Sequence, residues 1–95
     1  MHMRIFRAQA QPGTVDELAK RMQEFLDTTL RGTSGLEHLY CGGDRSSNQV
    51  SVVSLWDSEQ SMTEANPKVQ VFAGQVRELL AEQPIVVEYE VLVQL

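Results

Sequence analysis

Three side chains in the middle of the chain have the chemistry to act on an aromatic molecule: Trp56, His38 and Tyr40. An indole stacks on flat rings and donates one N–H, an imidazole can shuttle protons near neutral pH, and a phenol can donate a hydrogen bond. His38 and Tyr40 are two residues apart, so they share a face if their segment is a strand. Each also has a structural interpretation, because Trp56 can fill a core or an interface, and strand residues such as His38 and Tyr40 are often half-buried.

The segment around Trp56 is typical of a buried strand that leads directly into a helix. Four of the six residues before it, 50–55, are apolar and three of these are β-branched valines, and Asp57, Ser58 and Glu59 follow it. Oxygen side chains and negative charge of this kind are favoured at helix N-termini. Trp56 is therefore expected at a strand end beside a helix start, where it can line a cavity.

The remaining candidates for chemistry have simpler interpretations. Arg7 and Arg77 are the basic side chains best placed to approach an anionic ligand, although ion pairing with Glu88 or Glu90 is the more common use of such residues. Cys41 has no basic cluster nearby to activate its thiol. No glycine-rich phosphate loop, paired-cysteine motif, HExxH or GxSxG occurs, so the common nucleotide, zinc and serine-hydrolase motifs are absent.

Turn residues and hydrophobic periodicity predict six elements in the order strand, helix, strand, strand, helix, strand. Pro12-Gly13 ends the first strand, and Thr14 with Glu17 matches a capping box at the start of the first helix. Asn66-Pro67 interrupts the second helical region. The predicted elements span residues 3–11, 14–31, 36–41, 49–56, 58–80 and 85–95.

This order predicts an α+β fold, a ferredoxin-like βαββαβ sandwich in which both helices cover one face of a four-stranded antiparallel sheet. Residues 1–95 are expected to form a single domain. The other face would be exposed, yet strand three has apolar residues on both sides, with Val50 and Val52 opposed to Val53 and Leu55. We therefore expect a homodimer that buries the open sheet faces against each other.

Composition excludes several classes of partner. The net charge is -5, and the eight Lys and Arg are scattered, so binding to nucleic acid is not expected. No apolar run approaches the roughly 20 residues that a membrane-spanning helix needs. The single cysteine fits a reducing compartment, and a cytoplasmic protein is expected.

The segment Leu55-Trp56-Asp57-Ser58-Glu59, followed by Met62 and by a helix that carries Val69, Phe72 and Val76, resembles the antibiotic biosynthesis monooxygenase family. The resemblance implies a dimeric α+β barrel with a ligand cavity between the sheet and the helices of each subunit. It also implies oxidation of a small aromatic or quinol-like molecule by O2, with no metal, flavin or other cofactor.

Haem-degrading members of that family use a histidine about ten residues after the tryptophan and an asparagine on the first strand. This chain has Asn66 and Phe6 near those places, so the resemblance does not extend to haem. The expected pocket residues are Phe6, Trp56, Asn66 and Phe72, and the expected catalytic residues are Trp56, His38 and Tyr40, with the latter two placed beside the same cavity. The alternative is a non-catalytic small-molecule-binding or structural dimeric module.

Overall fold

A computed structural model describes all 95 residues and contains four strands and three α-helices. A π-helical turn, Leu26–Leu30, extends the first helix, and a 3-10 turn, Arg77–Leu79, follows the last. No helix is both long and apolar enough to cross a lipid bilayer. In chain order the elements are β1 (His2–Gln9), α1 (Val15–Phe25), β2 (Leu36–Asp44), β3 (Gln49–Trp56), α2 (Glu59–Glu64), α3 (Asn66–Gln75) and β4 (Ile85–Glu90).

The four strands form one antiparallel sheet in the order β2-β3-β1-β4. This order confirms the predicted ferredoxin-like sandwich, because the two strands that precede the helical segments lie at its centre. Phe6 on β1 is paired with Val52 on β3 and with Val86 on β4, so side chains at one register position form a row across the sheet.

The main core lies between the sheet and the helices. Alternate residues of the central strands, such as Phe6 and Val52, are buried against α1 and α3. The rings of Phe25 and Phe72 stack with their centroids 4.5 Å apart, which joins α1 to α3. A second cluster consists of Trp56, Met62 and Ala65, with Leu36 packed against it.

The two helix starts differ in their capping. Ser58 caps α2 as its sequence predicts, since its hydroxyl accepts a hydrogen bond from the Ser61 amide at 3.1 Å. The predicted capping box at Thr14 is wrong. The Thr14 hydroxyl donates to the carbonyl oxygens of Gln11 (2.7 Å) and Leu79 (3.2 Å), and so ties the helix start to the turn after α3.

Strand β4 is shorter than predicted, because it ends at Glu90 rather than at Leu95. Its only neighbour in the sheet is β1, and Glu90 is already paired with His2 at the beginning of that strand. One more backbone bond, from the Val91 amide to the Met1 carbonyl, ends the pairing. The apolar side chains of Leu92, Val93 and Leu95 are exposed beyond the strand.

Gly35 is the most closely surrounded glycine of the chain, and its replacement by alanine should destabilise the fold. Its φ is +87°, and a Cβ there would collide with the Ser61 side chain and lie 2.6 Å from Asp57 Oδ1. We expect the Gly35→Ala variant to lose about 2–4 kcal/mol in urea denaturation, from strain together with the clash.

Gly13→Ala is the matched control. Gly13 also has a positive φ, +78°, but a Cβ there would meet nothing within 4 Å. This variant should lose only about 1 kcal/mol, from backbone strain alone. Equal losses in the two variants would show that the contact with Ser61 and Asp57 is unimportant.

Candidate functional site

A small apolar cavity lies between the sheet and the helices, with a volume of about 40 Å³. Nine of its eleven lining residues are hydrophobic, and the two polar ones, Arg4 and Ser54, come from the central strands. The full lining consists of Arg4, Phe6, Met22, Phe25, Leu30, Leu39, Val52, Ser54, Trp56, Val69 and Phe72.

Three of the predicted pocket residues, Phe6, Trp56 and Phe72, line this cavity. Phe6 and Trp56 have even numbers on β1 and β3, which is the set of residues that faces the helices, and Phe72 reaches the cavity from α3. Asn66, at the start of α3, does not line the cavity. Its side-chain oxygen instead accepts a hydrogen bond from Arg4, which does.

His38 and Tyr40 lie on the opposite face of the sheet. They pair with Leu55 and Val53, whose side chains point away from the helices, and Tyr40 is 64% exposed. Their rings stack on each other with centroids 6.4 Å apart. The expectation that they border the same cavity as Trp56 is therefore wrong. Leu36 packs against the Trp56 cluster, but the irregularity in register between Leu36 and His38 places His38 and Tyr40 on the open face.

Trp56 fills the core and borders the cavity at once. It is 1% exposed and packs with Met62 and Ala65. Its indole N–H donates to Ser54 Oγ at 2.9 Å, and both groups are buried. The indole therefore offers its ring to the cavity, while its one donor is already used within the protein.

A buried arginine, Arg4, is the main feature of the site that sequence analysis missed. It is only 4% exposed. Its Nη2 donates to the Met62 carbonyl at 2.8 Å and to Asn66 Oδ1, and its Nε lies 3.5 Å from Glu88 Oε1. The guanidinium carbon also lies 5.9 Å from the centroid of the Trp56 ring. Arg4 thus joins the sheet to the junction of α2 and α3.

The charge of Arg4 persists despite its burial. Desolvation lowers the pKa of the guanidinium below its ordinary value, and the nearby Glu88 carboxylate opposes that change. Since an arginine ordinarily loses its proton only in strong base, Arg4 is a cation at neutral pH. The cavity therefore combines an apolar lining with one fixed positive charge.

The basic residues that the sequence singled out lie elsewhere. Arg7 is exposed on the open face of the sheet, opposite Ser51 and Ile85, and Arg77 is exposed on the 3-10 turn. A signal for Arg4 was present, because strand alternation places it on the same face as Phe6 and Ala8. A charge on the buried face of a central strand requires partners, and that requirement distinguishes Arg4 from Arg7.

No histidine, cysteine, aspartate or glutamate lines the cavity. Nowhere in the chain do three such side chains come close enough to hold a metal ion. The arrangement therefore offers apolar and aromatic walls, with one positively charged side chain, Arg4, beside them.

Comparisons with known proteins give structural matches only. No family model matches the chain, and no curated protein matches it in sequence. A "putative antibiotic biosynthesis monooxygenase" from Nitrosomonas europaea is 11% identical with a TM-score of 0.82, covering 98% of this chain and 100% of its own. A protein of the same description from Chloroflexus aurantiacus J-10-fl is 21% identical with a TM-score of 0.75, covering 98% and 94%.

A second protein from Nitrosomonas europaea, described as of unknown function, is 19% identical with a TM-score of 0.81 and covers 98% of this chain and 90% of its own. Such matches extend over nearly the whole chain. At these identities they establish architecture rather than activity. The chain therefore has the fold of structures named as antibiotic biosynthesis monooxygenases, and the resemblance drawn from its sequence is confirmed at the level of the fold.

Proposed function

We propose that the chain is a monooxygenase of the antibiotic biosynthesis type, which oxidises a small phenolic or quinol-like molecule with O2 and without a cofactor. The observation that carries the proposal is the apolar, aromatic-lined cavity between sheet and helices, in a fold shared with structures of that name. Aromatic walls suit a flat ring, and a dry site favours charge transfer to O2 over side reactions with water.

The proposed reaction uses the substrate's own electrons. The substrate loses a proton to become an electron-rich anion, which transfers one electron to O2. The resulting radical and superoxide combine into a peroxide, which gains a proton and then loses water as a C=O bond forms. One oxygen atom of O2 enters the product and the other leaves as water, while the substrate supplies the electrons that reduce both atoms. The protein contributes orientation and electrostatics.

Trp56, Phe6 and Phe72 are the residues that would hold the ring. The cavity must widen first, because a void of roughly 150 Å³ is needed to admit a benzene ring, and the present one measures about 40 Å³. Met22 and Phe72 line it from the helices, and Met22 is unbranched and flexible. Substrate binding is therefore expected to displace helix side chains rather than the central strands.

Oxygen uptake tests this proposal. Metal-stripped protein is mixed with anthrone and with a panel of hydroquinones, and dissolved O2 is followed with an electrode. We expect consumption above the uncatalysed rate for at least one compound. If no compound is consumed faster with the protein than without it, the proposed reaction is excluded.

A non-catalytic small-molecule-binding or structural module is the second candidate. The lack of an acid or base in the cavity lining favours a non-catalytic module, and the small volume of the cavity favours a structural one. Stabilisation of the protein by an aromatic ligand, in the absence of any oxygen uptake, would identify a binding module. Neither stabilisation nor uptake would indicate a structural role alone.

The open face of the sheet supports a homodimer. Met3, Ile5, Val53 and Leu55 form an apolar patch at its centre, with Tyr40, Ile85 and Tyr89 exposed around them. Exposed apolar surface of this kind is unusual in a monomer. We propose that a second copy covers this face, which would also bury His38 and Tyr40 in the interface.

A lysine at the centre of this face should separate the dimer. Val53 lies between Ile5 and Tyr40, so in a face-to-face dimer the Val53→Lys variant would bury an unpaired charge. Sedimentation velocity at micromolar concentration should give a dimer for the wild type and a monomer for this variant. Val71→Lys, at an exposed site on α3, is the control and should remain dimeric. A monomeric wild type would refute the interface.

A further inference from the structure

The guanidinium of Arg4 has one nitrogen without a partner inside the protein. Nη2 uses both hydrogens, on the Met62 carbonyl and on Asn66 Oδ1, and Nε faces Glu88. Nη1 is buried and has no hydrogen-bond acceptor. Two N–H donors are thus desolvated and unsatisfied on a residue that borders the cavity, and leaving them so is costly.

The remainder of the cavity provides little for a water molecule to bind. Apart from Arg4 its only polar residue is Ser54, whose hydroxyl oxygen already accepts the Trp56 N–H. A buried water ordinarily needs two to four polar partners. The nearest carboxylate, Glu88, is 3.5 Å from Nε rather than from Nη1, and its side chain is 40% exposed. Arg4 is therefore paired with Glu88 through Nε but keeps a buried donor nitrogen, Nη1, that no protein group satisfies.

We infer that Arg4 Nη1 is the binding site for the deprotonated oxygen of an aromatic ligand, so that the cavity selects phenolates. The apolar walls take the ring, and Nη1 donates to the ionised oxygen in a charge-assisted hydrogen bond. The phenolic proton leaves to solvent, and no covalent step is involved. This inference rests on the proposed function for its substrate class, but it concerns binding and can be tested without O2.

In the proposed reaction, Arg4 would favour the ionised form of the substrate. A phenolate transfers an electron more readily than the neutral phenol, and a cavity without a base cannot retain the proton itself. A fixed cation lowers the pKa of the bound phenol instead, which raises the ionised fraction at neutral pH. Arg4 therefore would act by binding the reactive form of the substrate.

A pair of coloured probes tests the inference. The compound 4-nitrophenol ionises near neutral pH with a change in its absorbance, and 4-nitroanisole has a similar shape but no proton to lose. We expect the wild-type protein to bind 4-nitrophenol about tenfold more tightly than 4-nitroanisole, as one charge-assisted hydrogen bond allows. The absorbance of the bound compound should titrate at lower pH than it does in water.

Arg4→Met should abolish both the preference and the absorbance shift. Arg7→Met is the matched control, since it removes the same charge from the opposite face of the same strand and should retain both. If Arg4→Met fails to fold, the affinity ratio and the titration shift of the wild-type protein decide the question. Equal affinity for the two probes, no binding of either, an unshifted titration, or a preference that persists in Arg4→Met would overturn the inference.

The outcomes separate this inference from the proposed function. Preferential binding of nitrophenolate without any oxygen uptake would leave the Arg4 site intact and remove the monooxygenase reaction. Oxygen uptake that is undiminished in a folded Arg4→Met variant would leave the monooxygenase reaction intact and remove the Arg4 site.

Discussion

Replacement of Phe72 by alanine should lower the free energy of unfolding by about 3–5 kcal/mol. The side chain is buried, it stacks on Phe25 at 4.5 Å, and it closes the cavity from the α3 side. Its removal leaves a void that the rigid sheet cannot fill, and it breaks the main aromatic contact between α1 and α3. Chemical denaturation followed by circular dichroism would measure the loss.

The same change should open the site to an aromatic ring. The void would add to the existing 40 Å³, so a small phenol should stabilise Phe72→Ala more than it stabilises the wild type. Val71→Ala is the control, because Val71 is exposed on the same helix and its truncation should change stability by no more than about 0.5 kcal/mol. A loss in Phe72→Ala as small as that of the control would mean that α3 does not close the core.

Trp56→Phe should reduce kcat/KM for oxygen uptake by about tenfold or more, which corresponds to the loss of about 1.4 kcal/mol of transition-state stabilisation. The phenyl ring is smaller than the indole, so it would contact the substrate less. The substitution would also remove the indole near the Arg4 guanidinium. It also leaves Ser54 Oγ without the indole donor, so we expect a stability loss of about 1–3 kcal/mol. Turnover is therefore compared under conditions in which both proteins are fully folded.

Leu36→Ala separates the two roles of Trp56. Leu36 packs against the cluster of Trp56, Met62 and Ala65 but does not line the cavity. This variant should lose stability and retain turnover. If Trp56→Phe behaves in the same way, the tryptophan is a core residue and has no part in the chemistry.

The fold could be predicted because its determinants are local. β1 ends at Gln9, shortly before the Pro12-Gly13 turn, Ser58 caps α2, and the alternation of β3 assigns Val52 and Val53 to opposite faces. The errors arise where the local structure depends on a partner that is distant in sequence. Thr14 bonds to Leu79, sixty-five residues away, and β4 stops at Glu90, where its pairing with β1 ends at His2.

The candidate site was predictable only in part, for the same reason. Phe6, Trp56 and Phe72 lie at apolar positions whose periodicity directs them to one cavity. His38 and Tyr40 attracted a catalytic interpretation from their chemistry, but which side of the sheet they occupy depends on the pairing of β2 with β3. Arg4 was missed because its partners, Met62, Asn66 and Glu88, are brought together by the tertiary fold.

The fate of molecular oxygen tests the central claim most directly. Metal-stripped protein would be incubated under oxygen-18 gas with the compound that supports the fastest uptake, and the product would be examined by mass spectrometry. We predict one atom of oxygen-18 in each product molecule, formed faster than in a control without protein. A product whose new oxygen comes from water, or release of the consumed O2 as hydrogen peroxide, would contradict a monooxygenase reaction in this cavity.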